Sequence, residues 1–269
     1  MTSSGVKSKV IFFGNGPLSD YALEVLKNKC EVIFHAHTRE DLEEAVRLKR
    51  EDPSIHGVLA SFGVLIPSSV LEVFEPEGIL NIHPSLLPLY RGASPIESAI
   101  LNGDTTFGVS VMKLVKAMDA GPIYKQATIE NVPLSSDLKD YLYKTLAEMG
   151  AVMVLSLLKS KKWPTAVAQD DSRATYCGKL DKSMSYLTPE TDTAEMTMRK
   201  IAAFFGYPKA KYQFFGKNCI ILEAHICEPG ETALLSIPCA DGVAVAVDLL
   251  QPEGKKPMDA KSFLNGYGK

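Results

Sequence analysis

The chain has 269 residues, 46% of them hydrophobic and 23% charged, with a formal net charge of −3. That length allows one large or two ordinary domains, each with its own core, and the composition is that of a globular protein. A slightly acidic balance excludes a generally basic nucleic-acid coat but leaves room for a local basic patch. Five cysteines (Cys30, Cys177, Cys219, Cys227 and Cys239) form no CxxC pair and lack a histidine pair to complete a ligand set. Reduced thiols, no metal and a cytoplasmic location are therefore expected. The N-terminal stretch is too short in apolar residues for a secretory signal, and no run approaches the length of a membrane span.

In chain order, KVIFF (Lys9 to Phe13) reads as a buried strand, followed by Gly14-Asn15-Gly16 and a helix from Pro17 to about Lys29. Proline suits a first helical turn. The Gly-x-Gly lacks the third glycine of a dinucleotide fingerprint, because Ser19 stands there, so a tight strand-to-helix turn is the simpler account. Glu31 to Ala36 is a second strand. Asp41 to Arg50 is a solvated helix whose acids come first and bases last, as the helix dipole favours. His56 to Ser61 is a third strand, running into the apolar loop SFGVLIP. Gly78 to His83 is a fourth, Ser94-Pro95 opens a helix to about Asn102, and strands follow at Phe107 to Val115 and Ile123 to Ile129. Ser135 or Ser136 should cap a helix to about Lys159, with the stripe Leu138, Leu142, Leu146, Met149, Met153 and Leu157. Strands alternating with helices in this way predict a mostly parallel, doubly wound α/β sheet.

The polar, non-periodic stretch from Lys159 to Thr175 reads as a linker. The expected division is a catalytic domain at 1–162, a linker at 163–178 and a C-terminal domain at 179–269. In the last, a helix from Thr193 to Phe205 precedes short strands at Asn218 to Ile226, Thr232 to Ser236 and Gly242 to Leu250, the pattern of a small OB-like β-barrel.

The chemistry concentrates in ILNIHPSLLPLYRG, Ile79 to Gly92. Asn81 and His83 are two apart on a strand and so share a face. Pro84 ends the strand, and Pro88 stiffens the turn beyond. An amide can donate to an oxygen gaining charge, an imidazole can move a proton near neutral pH, and Asp119, in a glycine-flanked loop, can hold that imidazole. Each also has a plainer use: a structural histidine, an asparagine bound to a neighbouring loop, an aspartate capping a turn. Arg91 has the plain alternative of pairing with a surface carboxylate.

The run Asn-Ile-His-x-Ser-Leu-Leu-Pro-x-x-Arg-Gly, followed by an Asp before an Ala-Gly turn, resembles the folate-dependent formyltransferases. The resemblance implies a Rossmann-like catalytic domain with Asn81, His83 and Asp119 as catalytic residues. It implies folate contacts from Ser85, Leu86, Leu87 and Pro88, and from Ser61, Phe62 and Gly63 in the SFGVLIP loop. It extends through GVLASFGVLIPSSVLE and GASPIESAILNGD to TYCGKLDK, IAAFFGYP and LLQPEGKKPMDAKSFL, which point to the tRNA-acting branch of that family. The expected donor is then 10-formyltetrahydrofolate and the expected acceptor the α-amine of initiator methionyl-tRNA, with a monomer sufficient. A C-terminal tRNA-binding surface is expected to include Lys179, Lys209, Lys211, Lys255 and Lys256, with Arg91 also on the substrate side.

Two departures stand out. The basic insertion usual after the second strand is missing, since His37-Thr38-Arg39-Glu40-Asp41 passes straight into a helix. The Asp-x-Gly-Asp turn reads Asp119-Ala120-Gly121-Pro122, so its second acid is a proline that cannot donate a backbone hydrogen bond. Alternatives on the same scaffold are formyl transfer to an amino-sugar nucleotide, which the missing insertion favours, and hydrolysis of the formyl-folate. A non-catalytic RNA- or folate-binding protein is a further alternative.

Overall fold

Apolar runs of five to seven residues, spaced by amphipathic helices, assemble into a six-stranded sheet. The structure, a computed structural model, describes residues 7–268. The described residues up to Pro95, with Phe107–Ile129 and Leu142–Cys177, form one compact unit. Ile96–Thr106, Glu130–Tyr141 and the described residues from Gly178 onward form another.

In the first unit the elements run β1 (Lys9–Gly14), α1 (Pro17–Lys27), β2 (Glu31–Ala36), α2 (Asp41–Glu51), β3 (His56–Ala60), a four-residue α3 (Ser68–Leu71) and β4 (Ile79–His83). After β5 (Arg91–Gly92) the chain passes through α4 (Pro95–Asn102), which belongs to the other unit from Ile96 on, and returns for β6 (Phe107–Lys113), β7 (Ile123–Ile129) and α5 (Leu138–Leu158), the last from Leu142 on. The strand order is β2-β1-β3-β4-β6-β7. The first four strands pair in parallel, and β6 and β7 add an antiparallel edge. That edge is antiparallel because the loop 114–122, not a helix, joins β6 to β7.

One face of the sheet buries Ile11, Phe13, Phe62, Phe74 and Ile79, with Phe13 edge-on to Phe62 and Phe74 at 5.8 and 5.9 Å. Leu42 and Ala45 of α2 join this core, so that helix is amphipathic rather than wholly solvated. The opposite face meets α5. A side chain at Gly150 would collide with Ile82, so the helix backbone lies directly on the strand. Of the expected stripe Leu138, Leu142, Leu146 and Leu157 are buried, joined by Ala147, Gly150, Ala151, Val154 and Leu155, whereas Met149 and Met153 are only half-buried. Small residues at Ala147, Gly150 and Ala151 allow the close approach. Neither serine caps α5: Ser135 Oγ donates to Asp137, and Ser136 Oγ accepts the Ala224 N–H. At 21 residues α5 is also long and apolar enough to cross a membrane, contrary to the expectation that no run is. Within the protein, 56% of its apolar window is buried, which makes it a core helix here.

The expected linker is an ordered strap. Trp163 packs against His56 and Tyr124, and Val167 exchanges two 2.8 Å backbone hydrogen bonds with Ile123. Its last residues form β8 (Tyr176–Cys177), parallel to β5.

The second unit is built on α6 (Ala194–Phe204), β9 (Lys211–Phe214), β10 (Lys217–Ile226), β11 (Ser236–Pro238), β12 (Ala244–Pro252), β13 (Met258–Asp259) and α7 (Ala260–Tyr267). Its strands form a five-stranded antiparallel sheet, and irregular register around Glu223 in β10 bends it into a curled half-barrel. The strand expected at Thr232 starts only at Ser236. Within this unit Lys139 forms a buried ion pair with Glu97 at 3.1 Å and donates to the Tyr207 carbonyl at 2.9 Å. Those contacts gather 96–106 and 130–141, expected in the catalytic domain, with the C-terminal residues.

Burial holds the imidazoles of His35 and His56 below the usual histidine range, and the Lys49 ammonium adds to the effect at His56. The unfolded chain therefore takes up these protons first, so stability is present above about pH 6.5 and is lost as pH falls towards the folded-state values. Denaturant titrations at pH 7 and pH 5 should show this loss, and His56→Gln should reduce it.

Candidate active site

Strand alternation turns Asn81 and His83 to one face of β4, and both are buried. The loop 114–122 starts beside Ile79, where Leu114 N–H donates to the Ile79 carbonyl, and folds back over that face. Asp119 thereby meets both side chains. Asn81 Nδ2 donates to its Oδ1 over a long 3.4 Å, and His83 Nδ1 lies 3.7 Å from the same oxygen. The other carboxylate oxygen accepts the Gly92 N–H at 2.9 Å.

The tautomer of His83 follows from its second contact. Nε2 is 3.0 Å from the Tyr90 carbonyl oxygen, which can only accept, so Nε2 carries a hydrogen. Nδ1 is left facing Asp119. A proton on Nδ1 turns that approach into an ion pair, and without it a lone pair faces a carboxylate. The arrangement therefore suits an imidazole that receives a proton and hands it on.

Backbone strain accompanies these contacts. Tyr90 and Asp119 have φ values of 57° and 48°, in the left-handed region. Such conformations cost about 1–3 kcal/mol each and persist where surroundings enforce them. The strap does so at Tyr90, whose N–H donates to Thr175 Oγ1 at 2.8 Å. Gly92 has φ 123°, and any Cβ there would strike the Cys177 carbonyl.

The Ser-Leu-Leu-Pro turn is fixed from beneath by fully buried Ser110. Its Oγ donates to the Ser85 carbonyl at 2.6 Å and accepts from Leu87 N–H and Gln126 Nε2. Gln126 also donates to the Leu87 carbonyl, and Ser85 Oγ to that of Leu89. The side chains of Ser85 and Leu87 are thus turned inward, while Leu86 and Pro88 are half-exposed.

Two expected contact residues need correction. Phe62 belongs to the core, stacked edge-on against Phe13, so in SFGVLIP it is Ser61, Gly63 and Leu65 that are exposed. Arg91 is 2% exposed, and its guanidinium donates to Gln169 Oε1, Asp171 and Tyr176. It is committed inside the first unit rather than to a substrate. The basic residues Lys179, Lys209, Lys255 and Lys256 are exposed in the second unit, and Lys211 has its ammonium 5.6 Å from the Tyr186 ring centre. Lys209 and Lys211 lie at the start of β9, and Lys255 and Lys256 follow β12 near the β9–β10 turn, where Glu253 N–H bonds the Asn218 carbonyl. Residues that sequence reasoning passed over are Ser110, Gln126, Gln169 and Thr175. Each acts on a backbone group far along the chain, for which no local pattern exists.

An amide, an imidazole and a carboxylate thus converge on one face of a mixed α/β sheet, with no side-chain nucleophile among them. The formyl transferase pattern matches residues 23–157 and the formyl transferase C-terminal domain pattern residues 179–268, and the chain belongs to the formyl transferase family. A methionyl-tRNA formyltransferase of Anaplasma marginale (strain St. Maries) is 37% identical over 218 residues, covering 78% of this chain and 69% of that protein. The methionyl-tRNA formyltransferase of Clostridium thermocellum superposes with a TM-score of 0.66 at 18% identity, over 92% of this chain and 99% of that one. HypX from Aquifex aeolicus in complex with tetrahydrofolic acid superposes with a TM-score of 0.70 at 18% identity, over 98% of this chain and 48% of its own length. At these identities the two structures speak to the fold.

Gly92→Ala should push the Gly92 N–H off Asp119. We expect turnover to fall at least tenfold, and stability to drop by about 1–3 kcal/mol, the cost of a strained backbone site. Steady-state kinetics and chemical denaturation of the same preparation measure both.

Proposed function

We propose that this chain transfers the formyl group of 10-formyltetrahydrofolate to the α-amine of initiator methionyl-tRNA, acting as a cytoplasmic monomer in translation initiation. The observation that carries the reading is the convergence of Asn81 and His83 on Asp119, in a chain whose family match runs through both halves.

The neutral amine attacks the formyl carbon, and Asn81 Nδ2, which has a second hydrogen to give, donates to the oxygen as it gains charge. The bond from the formyl carbon to N10 of the folate then breaks. One proton leaves the amine and one arrives at N10, so the His83–Asp119 pair ends the cycle as it began. No covalent bond to the protein forms. Holding both reactants together removes much of the entropic barrier, which is the main contribution of the surrounding loops. The folate is held by the turn Ser85 to Pro88 through its backbone and through Leu86, and by the exposed backbone of Ser61 and Gly63. Exposed Leu65, Leu89 and Met118, on the loops after β3, after β4 and before β7, offer apolar surface for its flat ring.

The residues from 179 onward act as the tRNA-binding part. Lys179, Lys209, Lys211, Lys255 and Lys256 meet phosphates there, and their two separate groupings along β9 suit a backbone track better than a single anion pocket.

Formyl transfer from 10-formyltetrahydrofolate should be assayed with initiator methionyl-tRNA, uncharged tRNA and an amino-sugar nucleotide. Activity on the first alone is expected, and turnover of the sugar without the tRNA would sink the proposal. Asn81→Ala should lower kcat by about 10²–10³, as loss of one oxyanion donor does, and His83→Ala by about 10²–10⁴. Replacing Lys255 and Lys256 together with alanine should raise KM for the tRNA and leave that for the folate unchanged. The slope of log affinity against log salt should then flatten by about one for each phosphate no longer neutralised.

A further inference from the structure

The strap holds one half-buried polar residue that neither the trio nor the turn uses. Gln169 Nε2 donates to the carbonyls of Asp119 and Gly121, at 2.8 and 2.7 Å. Its Oε1 accepts two hydrogens from Arg91, from Nε at 3.0 Å and Nη2 at 2.8 Å. A guanidinium has donors and no acceptor, and a carbonyl has acceptors and no donor, so only one orientation of the amide satisfies both sides. Reversing it would set the NH₂ against a cation and the oxygen against two carbonyls. Arg91 in turn is held by Asp171 at 2.6 Å and lies against the Tyr176 ring, with 6.0 Å from its Cζ to the ring centre.

We infer that Gln169 is a positioning residue for the reaction, its amide locked by Arg91 and clamping the strained loop so that Asp119 stays opposite Asn81 and His83. Asp119 sits at φ 48°, a conformation it leaves readily unless tied. Gln169 ties the loop at the Asp119 and Gly121 carbonyls, the Lys113 N–H ties it at the Pro122 carbonyl, and the Gly92 N–H holds the carboxylate. Gly92 is itself adjacent to Arg91 in β5, which pairs with the strap through β8. The buried arginine and the strap glutamine thus serve one purpose from two directions. This role rests on the formyl-transfer reading for its kinetic consequence but not for its structural one.

Gln169→Glu is the sharpest test, because the carboxylate keeps both Arg91 hydrogen bonds and turns an oxygen towards the two loop carbonyls. Gln169→Met removes its hydrogen bonds to Arg91, Asp119 and Gly121 at similar volume. For both variants we expect kcat with 10-formyltetrahydrofolate and methionyl-tRNA to fall about 10²-fold, the scale of an ångström misplacement of a reacting group. KM for the folate should stay within about twofold, and thermal unfolding should stay cooperative. In ¹⁵N NMR of the protein without substrates, the His83 Nδ1 resonance should move in both variants while the Nε2–H signal, bonded to Tyr90, persists. An unmoved Nδ1 resonance in folded Gln169→Glu would overturn the clamp, as would a kcat within twofold of the parent. The NMR arm needs no acceptor. A moved resonance in a parent inactive on methionyl-tRNA would therefore reject the acceptor assignment and leave the clamp standing.

Discussion

The site depends on one carboxylate being held where the backbone would not otherwise leave it. Asp119 faces two side chains of β4 from a loop that crosses the sheet face, and it does so in left-handed backbone. A β-strand alone can align an amide and an imidazole, because alternation costs nothing. It cannot supply a third group from across the chain. That comes from the Gly92 amide, the Gln169 amide and the strap that carries Gln169. The hydrogen bonds involved are individually worth about 1 kcal/mol, comparable with the strain they oppose. The geometry is therefore the balance of several small terms rather than the product of one strong one.

Much of the fold and part of the site were legible in the sequence, for identifiable reasons. The shared face of Asn81 and His83 was legible because a two-residue period is written locally. The first three strands were found because their apolar runs are short and dense, and α1 because Gly16-Pro17 opens it. The antiparallel edge was harder to read, since Phe107–Lys113 alternates in the same way whichever direction it pairs. Phe62 and Arg91 were misread because a residue type in a motif does not reveal which way its side chain points. The sequence SFGVLIP looks like one apolar loop, yet alternate members enter the core while the others face solvent. Gln169 carried no signal at all. A lone glutamine in a polar stretch matters only through partners 48 to 78 positions away.

The same reasoning explains why compact units and sequence segments do not coincide. A linker is usually inferred where periodicity is lost, but periodicity records only burial of one face. The stretch from Trp163 to Cys177 instead pairs by backbone, by aromatic contact and by single polar side chains, all invisible to that criterion. Conversely, 96–106 and 130–141 look like ordinary parts of an α/β repeat. The buried Lys139, with both Glu97 and the Tyr207 carbonyl as partners, draws them elsewhere. A buried charge that lost one of these partners would be costly to the fold, so the grouping is enforced even though the pair itself adds little net stability.

The strap also sets an order of events during synthesis. Asn81, His83 and Asp119 leave the ribosome early, and the sheet beneath them has all its strands once β7 has emerged. Gln169, Thr175 and Cys177 follow some fifty residues behind Asp119, and chain elongation at roughly 5–20 residues per second makes that a delay of seconds. Throughout that interval the nascent chain carries Asn81, His83 and Asp119 without the strap contacts that align them. The geometry of the trio is completed by the last residues of the strap rather than by the trio itself.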